Sequence, residues 1–410
     1  MELINGKTFW PTTFTSHPHY PVLQENLSCD CLIIGGGMGG ALSAKLLTDQ
    51  GIDTVVIDKR DIGYGSSMAN TGLLQYTNDK RLTSCIQTFG EERGVRFYEL
   101  CRDAMQHLEK ISSKLEIDPW FVPRTSLYCA SHEEDVPLLE EEYRNLKHYG
   151  FDVELWDQEE ISAVFPFSKR AALYTSGDAE VNPFRLVHSL FHSASRQGAR
   201  VYAHSELTHC DYDENGALCY TPDGTVRAKH VIFSTGYETQ EIKKDRGAYL
   251  QSTYAIATKP LQDLSSWHKR SLIWETERPY LYMRTTPDGR ILAGGLDENR
   301  PREEQRAIKA VHKGEILLQK IAEYFPLPDL EVDYAWEAVF GSTHDGLPLI
   351  GPHPDYPNSY FVEGYGGNGT VYSMIAASLI VDAITGKQNP DMNLFSLTRT
   401  SKPSPVQPTT

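Results

Sequence analysis

The stretch Leu32-Ile33-Ile34-Gly35-Gly36-Gly37-Met38-Gly39-Gly40 joins a short apolar run to a segment with helical periodicity. Its glycines at positions 35, 37 and 40 give the spacing G-x-G-x-x-G directly after a β-branched run. In this pattern the first glycine makes a tight turn, the second lets a pyrophosphate approach the backbone, and the third lets the helix pack on the strand. Amide groups at the start of such a helix attract phosphate. The stretch therefore predicts a strand–turn–helix unit that binds a nucleotide.

A second β-branched run, Thr54–Ile57, ends at Asp58, which stands 23 positions after Gly35. A carboxylate at that distance accepts hydrogen bonds from a ribose diol, and the two runs with the helix between them form a βαβ unit with a parallel sheet. The alternative is a glycine-rich turn that only packs a helix on a strand. That alternative explains neither Asp58 nor the other glycine turns of the chain.

The bulk composition is that of a globular protein with two structural modules. The chain has 410 residues, of which 40% are hydrophobic and 23% charged, and it exceeds the size at which a single core usually keeps growing. Its formal net charge of −16 disfavours nucleic acid and anionic membranes as partners, and its apolar runs are too short to span a membrane. The seven cysteines are scattered without CxxC spacing, which predicts reduced thiols. Without a complete metal-ligand pattern or a signal-peptide pattern, we expect a cytoplasmic protein that binds no metal.

Segments of the dinucleotide type occur near the beginning, in the middle and near the end of the chain. This order predicts an α/β fold (α+β overall) in which a discontinuous Rossmann-like nucleotide-binding domain carries a second, mixed-sheet domain for the substrate. The nucleotide-binding domain is predicted to comprise residues 28–84, 172–248 and 336–398, and the substrate domain residues 85–171 and 249–335. Residues 1–27 are predicted to form an extended arm, and the Ser/Pro/Thr-rich residues 399–410 a disordered tail.

Two further stretches favour FAD over NAD as the dinucleotide. Gly63–Gly72 follows the ribose-binding acid and is small and polar, and Gly364–Gly369 opens the last predicted helix. Amide groups at the start of that helix would stabilise negative charge on the pyrimidine ring of a reduced flavin. The alternative is a pyridine-nucleotide dehydrogenase, which the second glycine loop argues against. The predicted cofactor-binding residues are Gly35, Gly37, Met38, Gly40, Asp58, Lys59, Ser66, Ser67, Asn70, Thr71, Gly236, Gly364, Gly366, Gly367, Asn368, Gly369 and Thr370.

Taken with Val181-Asn182-Pro183 and the D-G-x-P-x-x-G segment at 345–351, these motifs resemble those of the D-amino-acid oxidase, glycine oxidase and sarcosine oxidase superfamily of FAD enzymes. The resemblance covers nearly the whole chain after the arm. Within the superfamily, Tyr280–Gly295 and Tyr334-Ala335-Trp336 look most like the γ-glutamylputrescine-oxidase-like branch. The resemblance implies hydride transfer from a carbon–nitrogen bond of a small amine or amino acid to flavin N5, followed by hydrolysis of the imine.

The arginine that binds the substrate carboxylate in amino-acid oxidases of this superfamily is absent from its usual place. Those enzymes carry it shortly before the D-G-x-P-x-x-G segment, where this chain has the residues 340–344, FGSTH. The departure favours an amine over an α-amino acid. Arg284 is a candidate substitute, because alternation in a strand places Tyr280, Tyr282 and Arg284 on one face, where they would clamp a carboxylate. Alternatively, Arg284 holds the turn at 287–289 or pairs with a carboxylate elsewhere in the protein.

The remaining expectations concern the flavin and its electron acceptor. Sarcosine-oxidase-like relatives place a lysine near flavin N5 from the strand around 290–294, where this chain has Ile291 and Leu292, so O2 and another acceptor both stay open. No cysteine follows Cys219, which implies noncovalent FAD. The second candidate function is a flavoprotein whose structural FAD supports a non-catalytic, partner-binding role. The candidate catalytic residues are Arg284, Tyr280, Tyr282, Phe340 and His344. Of these, His344 is predicted near the flavin ring, and Tyr280, Tyr282 and Phe340 are predicted to bury the amine.

Overall fold

The computed structural model describes residues 1–243 and 247–399, which fold into two mixed sheets and the helices that cover them. The strands are β1 (Ile4–Gly6), β2 (Asn26–Ile34), β3 (Thr54–Ile57), β4 (Leu73–Leu74), β5 (Val122–Cys129), β6 (Val153–Asp157), β7 (Ala171–Glu180), β8 (Arg200–Tyr202), β9 (His209–Asp213), β10 (Gly216–Tyr220), β11 (Thr225–Phe233), β12 (Ala248–Thr258), β13 (Leu272–Glu275), β14 (Leu281–Thr285), β15 (Ile291–Asn299), β16 (Val332–Thr343), β17 (Leu349–His353) and β18 (Tyr356–Glu363). The helices are α1 (Met38–Asp49), α2 (Leu82–Phe89), α3 (Glu91–Ser112), α4 (Val136–His148), α5 (Gln158–Val164), α6 (Pro183–Arg196), α7 (Thr239–Ile242), α8 (Glu303–Tyr324) and α9 (Gly369–Ile384).

The first sheet has the parallel order β18-β11-β2-β3-β8, with β17 antiparallel at one edge and β9 and β10 extending from β11. The inner strand β3 is short, and every residue of it is buried, as expected for a parallel strand covered on both faces. Helix α1 connects β2 to β3 and packs against α6 and α9. Because the strands are parallel, the carboxyl ends of β2, β3, β11 and β18 meet at one edge, which is where ligands bind in such folds. The predicted Rossmann-like α/β fold is confirmed.

The second sheet has the order β1-β16-β12-β15-β14-β13-β5-β7-β4, and β6 also pairs with β7. Its central strands β12, β14, β15 and β16 are antiparallel to their neighbours in that group, as in a sheet built from hairpins. Helix α8 covers one face and contacts β12, β15 and β16. The opposite face of these strands lies toward the carboxyl edge of the first sheet. Residues of both sheets therefore line the space between them.

Two of the predicted domain boundaries fall inside strands of the second sheet. Residues 172–180, predicted in the nucleotide-binding domain, belong to β7, which pairs with β5 and β6. Residues 336–343, predicted in the same domain, belong to β16, which pairs with β12 and β1. Their hydrogen-bond ladders therefore place both segments with the second sheet. Arg399, predicted in the tail, donates hydrogen bonds to Asp345 at 2.7 and 2.8 Å, and the rest of the predicted tail lies outside the described residues.

The segment predicted as an N-terminal arm, residues 1–27, touches both sheets. Its strand β1 pairs with β16 at the edge of the second sheet. Trp10 is buried and its Nε1 donates a 2.6 Å hydrogen bond to the carbonyl oxygen of Asn70. Leu23 is buried in the core of the first sheet with residues of β2, β3 and β11. The arm therefore contacts both sheets and connects them.

Two general properties of the chain follow from the described residues. Their longest helices carry too many charged side chains, and their apolar helices are too short, for any of them to cross a membrane. All seven cysteines carry free thiols, as predicted, and all but the half-buried Cys210 are buried.

Candidate functional site

A cavity of about 700 Å³ runs along the carboxyl edge of the first sheet and extends to the second sheet. This volume lies within the range of about 300–1,000 Å³ that is usual for ligand pockets. The first sheet lines one part of it with residues at strand ends, including Gly35, Asp58 and Gly364. The second sheet lines the other part, including Thr253 on β12 and Tyr282 on β14. We call these parts the nucleotide end and the substrate end.

The three glycines of the G-x-G-x-x-G turn have three different surroundings. Gly35 has a φ of 113°, and an added Cβ would lie 2.2 Å from the carbonyl oxygen of Ser234, the residue after the neighbouring strand β11. A Cβ at Gly40 would lie 1.9 Å from the carbonyl oxygen of Gly35, so this glycine lets α1 pack on β2. A Cβ at Gly37 would meet only the Ser67 hydroxyl, at 3.0 Å, and would otherwise point into the cavity. The predicted turn and packing roles are confirmed, and the approach of a pyrophosphate at Gly37 stays a prediction.

Asp58 ends β3 at the cavity wall and is held by two backbone amides. Its Oδ2 accepts a 2.6 Å hydrogen bond from the Gly36 amide, and its Oδ1 accepts one of 2.7 Å from the Arg60 amide. Burial raises the pKa of Asp58, and the two amide donors oppose that shift. The carboxylate is thus fixed in place at the depth where the sequence predicts a ribose contact.

Lys59 and Arg60 also line the nucleotide end and share one acidic partner. Nη1 and Nη2 of Arg60 each donate to Glu238 at 2.8 Å, and the Lys59 ammonium lies 3.1 Å from the same carboxylate. Although burial opposes the charge on Glu238, these hydrogen bonds lower its pKa to about 2. The basic groups at this end are therefore paired and held in place.

Residues 66–71 form a short turn of 3-10 helix and a polar loop beside the start of α1. The Ser67 hydroxyl accepts a 2.9 Å hydrogen bond from the Met38 amide, and the Asn70 side chain accepts one of 2.7 Å from the Gly72 amide. The Ser66 hydroxyl is buried at the cavity wall, and no described residue is its hydrogen-bond partner. Such a buried hydroxyl is usually satisfied by a ligand or by water.

The glycine loop at 364–369 connects β18 to α9 and leaves the start of that helix open. Asn368 does not cap α9 with its side chain, which instead donates hydrogen bonds to the carbonyl oxygens of Gln75 at 3.0 Å and Thr77 at 2.7 Å. The Thr370 hydroxyl in the first turn is buried at the cavity wall without a hydrogen-bond partner among the described residues. The first amides of α9 and this hydroxyl therefore face a ligand position.

The residues at the nucleotide end fit FAD. The open starts of α1 and α9 suit the phosphates and the pyrimidine ring, and the two unpaired hydroxyls supply further hydrogen bonds. Of the predicted cofactor residues, all except Gly40 line the cavity, and Gly40 is buried beneath its wall.

We expect Ser66→Ala and Thr370→Val each to weaken FAD binding about fivefold, because a typical hydrogen bond contributes about 1 kcal/mol. Titration of the apoprotein with FAD, followed by quenching of flavin fluorescence, measures the dissociation constant. Ser43→Ala is the matched control, since the Ser43 hydroxyl on α1 is also buried and unpaired among the described residues but does not line the cavity. Unchanged affinity in both variants would show that neither hydroxyl contacts the cofactor.

Aromatic side chains on β14, just before β14 and on β16 line the substrate end. Tyr280 and Tyr282 line the cavity with ring centroids 5.8 Å apart, and Phe340 on β16 lines it as well. Strand β14 buries Leu281 and Met283 on its opposite face, so the predicted alternation is confirmed. Burial raises the pKa of both tyrosines, and their phenols therefore stay protonated and able to donate hydrogen bonds at neutral pH.

The predicted carboxylate clamp at Arg284 is wrong. Arg284 lies on the same face of β14 as the tyrosines, but the segment 71–72 covers it, and it does not line the cavity. Its guanidinium donates to the carbonyl oxygens of Thr71 at 2.8 Å and Val181 at 2.7 Å, and it lies 3.6 Å from Glu180. The alternative interpretation, a pairing with a carboxylate inside the protein, describes this arrangement.

The predicted position of His344 near the flavin ring is also wrong. His344 follows the end of β16, where its ring lies 5.1 Å from the ring of Tyr249, and it does not line the cavity. Its amide donates a 2.9 Å hydrogen bond to the carbonyl oxygen of Gly247. The neighbouring Asp345 is turned to Arg399 instead of the cavity, so this segment closes the fold and supplies no group to the reacting end.

Several side chains at the substrate end are missing from the sequence prediction. Asp297 on β15, Thr253 on β12 and Trp274 on β13 line the cavity, together with Asp79 and Gln75 from the loop before α2. The loop residues could not be predicted because the loop has no hydrophobic periodicity. The strand residues could not be predicted because the sequence does not give the register of their strands. A charged residue at the end of a predicted strand next to a glycine pair, as in GGLD at 294–297, is the one visible signal.

Comparison with known proteins agrees with this geometry. The family model "FAD dependent oxidoreductase" matches residues 30–383. The chain is 25% identical to γ-glutamylputrescine oxidoreductase of Escherichia coli over 395 residues, covering 92% of this chain and 89% of the relative. It is 24% identical to glycine oxidase of Geobacillus kaustophilus, covering 90% of this chain and 97% of the relative. The crystal structure of glycine oxidase from Geobacillus kaustophilus superposes with a TM-score of 0.79 at 22% identity, over 92% of this chain and all of that one.

The family match extends from the strand that carries the first glycine turn to the end of α9, so it includes both ends of the cavity. The superfamily resemblance and the FAD cofactor predicted from the sequence are confirmed. The chain belongs to the family of FAD-dependent oxidoreductases that includes glycine oxidase and γ-glutamylputrescine oxidoreductase.

Proposed function

We propose that this oxidoreductase oxidises a carbon–nitrogen bond of a small amine or amino acid, and that amines are the better substrates. The observation that carries the proposal is the continuity of the cavity, in which the FAD-binding end opens into an aromatic substrate end. The lysine and the arginine among the described lining, Lys59 and Arg60, lie at the nucleotide end and are paired with Glu238. A substrate carboxylate would therefore find no basic partner at the substrate end. The names of the relatives support an amine or amino-acid substrate.

In the proposed reaction the protein positions the amine and keeps water away from it. Tyr280, Tyr282 and Phe340 form walls that bury the reacting nitrogen, and burial disfavours its charged form, so the reactive neutral amine is populated. FAD, when bound, would supply the hydride acceptor at N5. The substrate carbon loses a hydride while the nitrogen lone pair forms the imine double bond, and a nitrogen proton leaves to solvent. Water then hydrolyses the imine to a carbonyl compound and ammonia or an amine.

We further propose that FAD is held noncovalently and that the reduced cofactor passes its electrons to O2 or to another acceptor. The hydrogen-bonding groups at both helix starts support noncovalent binding, because they would supply polar contacts to the cofactor from two separate elements. The free thiols of the seven cysteines favour a cytoplasmic location, since reduced cysteines persist in reducing compartments.

The test is the visible spectrum of the purified protein under anaerobic conditions, before and after addition of amines and of amino acids. We expect an oxidised flavin spectrum that amines bleach. Subsequent O2 uptake would identify an oxidase, and bleaching without O2 uptake a dehydrogenase. A flavin spectrum that no amine or amino acid bleaches would instead support the second candidate function, structural FAD with a partner-binding role.

A further inference from the structure

The two ends of the cavity differ in their charged side chains. The nucleotide end carries both signs: Lys59 and Arg60 are paired with Glu238, and the carboxylates of Asp58, Glu206 and Glu241 line it as well. The charged residues that line the substrate end are Asp79 and Asp297. Among the described residues, no lysine or arginine lines that end. A ligand that enters it therefore meets two carboxylates and no basic side chain.

Asp297 is directed into the cavity by an irregularity of β15. Strand β15 carries an extra residue opposite β12, between the pairs Tyr254–Gly295 and Ser252–Glu298, and Leu296 there has a φ of 58°. Before this bulge, Ile291 and Ala293 face the core beneath α8, and after it Leu296 faces that core. Since successive residues alternate, Asp297 is turned to the opposite face, where it lines the cavity.

The Asp297 carboxylate has an unsatisfied oxygen at this position. Its Oδ1 is buried and has no hydrogen-bond partner among the described residues. Burial raises the pKa of Asp297 to about 6, with the Thr253 hydroxyl opposing the shift and the negative charge of Asp79 adding to it. A buried carboxylate oxygen without a hydrogen-bond partner is unfavourable, so a cationic donor from a ligand would be strongly bound at Oδ1.

Asp79 faces the same space from the loop before α2. Its Oδ2 accepts a 3.0 Å hydrogen bond from the Gly367 amide, which anchors the carboxylate against the flavin-binding loop. Its negative charge contributes to the raised pKa of Asp297. The pair therefore places negative charge at the substrate end, beside the loop that holds the cofactor.

Two nearby basic groups act on this pair from outside the cavity lining. Arg278 and Lys313 lower the pKa of Asp297 through their charges, yet neither lines the cavity. Nη1 of Arg278 donates to three backbone carbonyl oxygens at 3.0–3.3 Å, and the guanidinium lies 4.6 Å from the centroid of the Tyr280 ring. Nζ of Lys313 lies 5.7 Å from the centroid of the Tyr254 ring, on the core side of the sheet.

We propose that Asp297, with Asp79, binds a positively charged group of the substrate that is separate from the reacting nitrogen, so that the preferred substrates are diamines or other amines carrying a second cation. The proposal rests on the proposed function, because it names the substrate class of the same site. An α-amino acid would bring a carboxylate toward two carboxylates and be repelled. A simple alkylamine would leave Asp297 without a partner.

The test uses the FAD-loaded protein and two series of substrates matched in length. Unbranched diamines with three to six carbons are compared with alkylamines in which a methyl group replaces the second ammonium. Anaerobic stopped-flow bleaching of the flavin gives the rate constant and the apparent dissociation constant for each. We expect the diamines to bind roughly 10- to 100-fold more tightly than their partners, the range of a charge-assisted hydrogen bond.

Asp297→Asn should remove most of that preference, while the affinity for alkylamines changes by about twofold or less. Glu298→Gln is the matched control on the same strand, because Glu298 pairs with Lys309 and Tyr254 outside the cavity, and it should keep the preference. Equal losses for both series in Asp297→Asn would mean that Asp297 holds the reacting nitrogen, and the proposal would be overturned.

The pH dependence of the unaltered protein provides a second measurement that does not depend on a variant. Below about pH 6 the Asp297 carboxylate takes up a proton and loses its charge, whereas the second ammonium of a diamine remains charged. The phenols of Tyr237, Tyr280 and Tyr282 face the same space and stay neutral, since burial raises their pKa values. The ratio of alkylamine to diamine dissociation constants should therefore fall as the pH drops through 6.

The outcomes separate the two proposals. If diamines and alkylamines bleach the flavin with equal affinity at all pH values, the second-cation site is refuted and the amine oxidoreductase function stands. If amino acids bleach the flavin and amines do not, the cation site is refuted as well. If no amine or amino acid bleaches it, the proposed function itself is refuted and the substrate class falls with it.

Discussion

Replacement of Gly37 by valine is expected to give folded protein that is purified without FAD. A Cβ at Gly37 would meet only the Ser67 hydroxyl, at 3.0 Å, which rotation of that side chain relieves. The valine methyl groups would then occupy the space in front of the first α1 amides, where the pyrophosphate is predicted to bind. The fold should survive because no backbone atom is displaced. The ratio of flavin absorbance to protein absorbance measures the loss, and circular dichroism checks the fold.

Two other glycines at the same helix provide contrasts. Gly40→Ala should destabilise the fold itself, since its Cβ would lie 1.9 Å from the carbonyl oxygen of Gly35. Gly51→Ala, at the far end of α1, meets no atom within 4 Å and strains only one residue with a φ of 72°, so its flavin content should be normal. Normal flavin content in Gly37→Val would show that the pyrophosphate does not approach this turn.

Arg284→Ala is expected to lower the free energy of unfolding by about 3 kcal/mol or more, the cost of breaking a buried ion pair. Arg284 and Glu180 are both fully buried, and the three carbonyl oxygens bound by the guanidinium would also lose their donors. Burial lowers the pKa of Arg284 to about 10, so the side chain is still charged at neutral pH. Arg124 remains 3.1 Å from Glu180 and limits the loss. Urea unfolding of the FAD-loaded protein gives the value.

The same variant tests whether Arg284 binds a substrate carboxylate. If Arg284 is structural, the remaining activity of Arg284→Ala should fall equally for acidic substrates and for simple amines. Arg93→Ala, at an exposed position of α3, is the control for loss of one positive charge and should change stability by about 0.5 kcal/mol or less. Unchanged stability of Arg284→Ala with a selective loss of acidic substrates would restore the clamp.

The nucleotide end could be predicted from the sequence because its signals are local. The turn at Gly35–Gly40, the strand Thr54–Ile57 and Asp58 are consecutive or nearly so, and each residue's task follows from its place in one βαβ unit. The loop at 364–369 is recognisable for the same reason, since glycines precede an apolar helix. Burial, turn geometry and helix packing decide these positions without reference to the rest of the chain.

The substrate end could not be predicted, because strand register decides it. Regular alternation from Ile291 and Ala293 would place Asp297 in the core beneath α8, and only the bulge at Leu296 reverses its face. Alternation did place Arg284 on the correct face of β14, but the segment 71–72 that covers it comes from a distant part of the chain. The predicted domain boundaries were wrong for the same reason, because β7 and β16 pair with strands of the second sheet that are distant in the sequence.

The N-terminal arm has a thermodynamic consequence. Residues of one continuous segment pair with β16 at Ile4, contact the loop at Asn70 through Trp10, and fill the core of the first sheet at Leu23. Unfolding of either sheet should therefore disrupt the contacts that this segment makes with the other sheet. A calorimeter heating the FAD-loaded protein should record one heat-absorption peak for the whole chain, with calorimetric and van't Hoff enthalpies that agree.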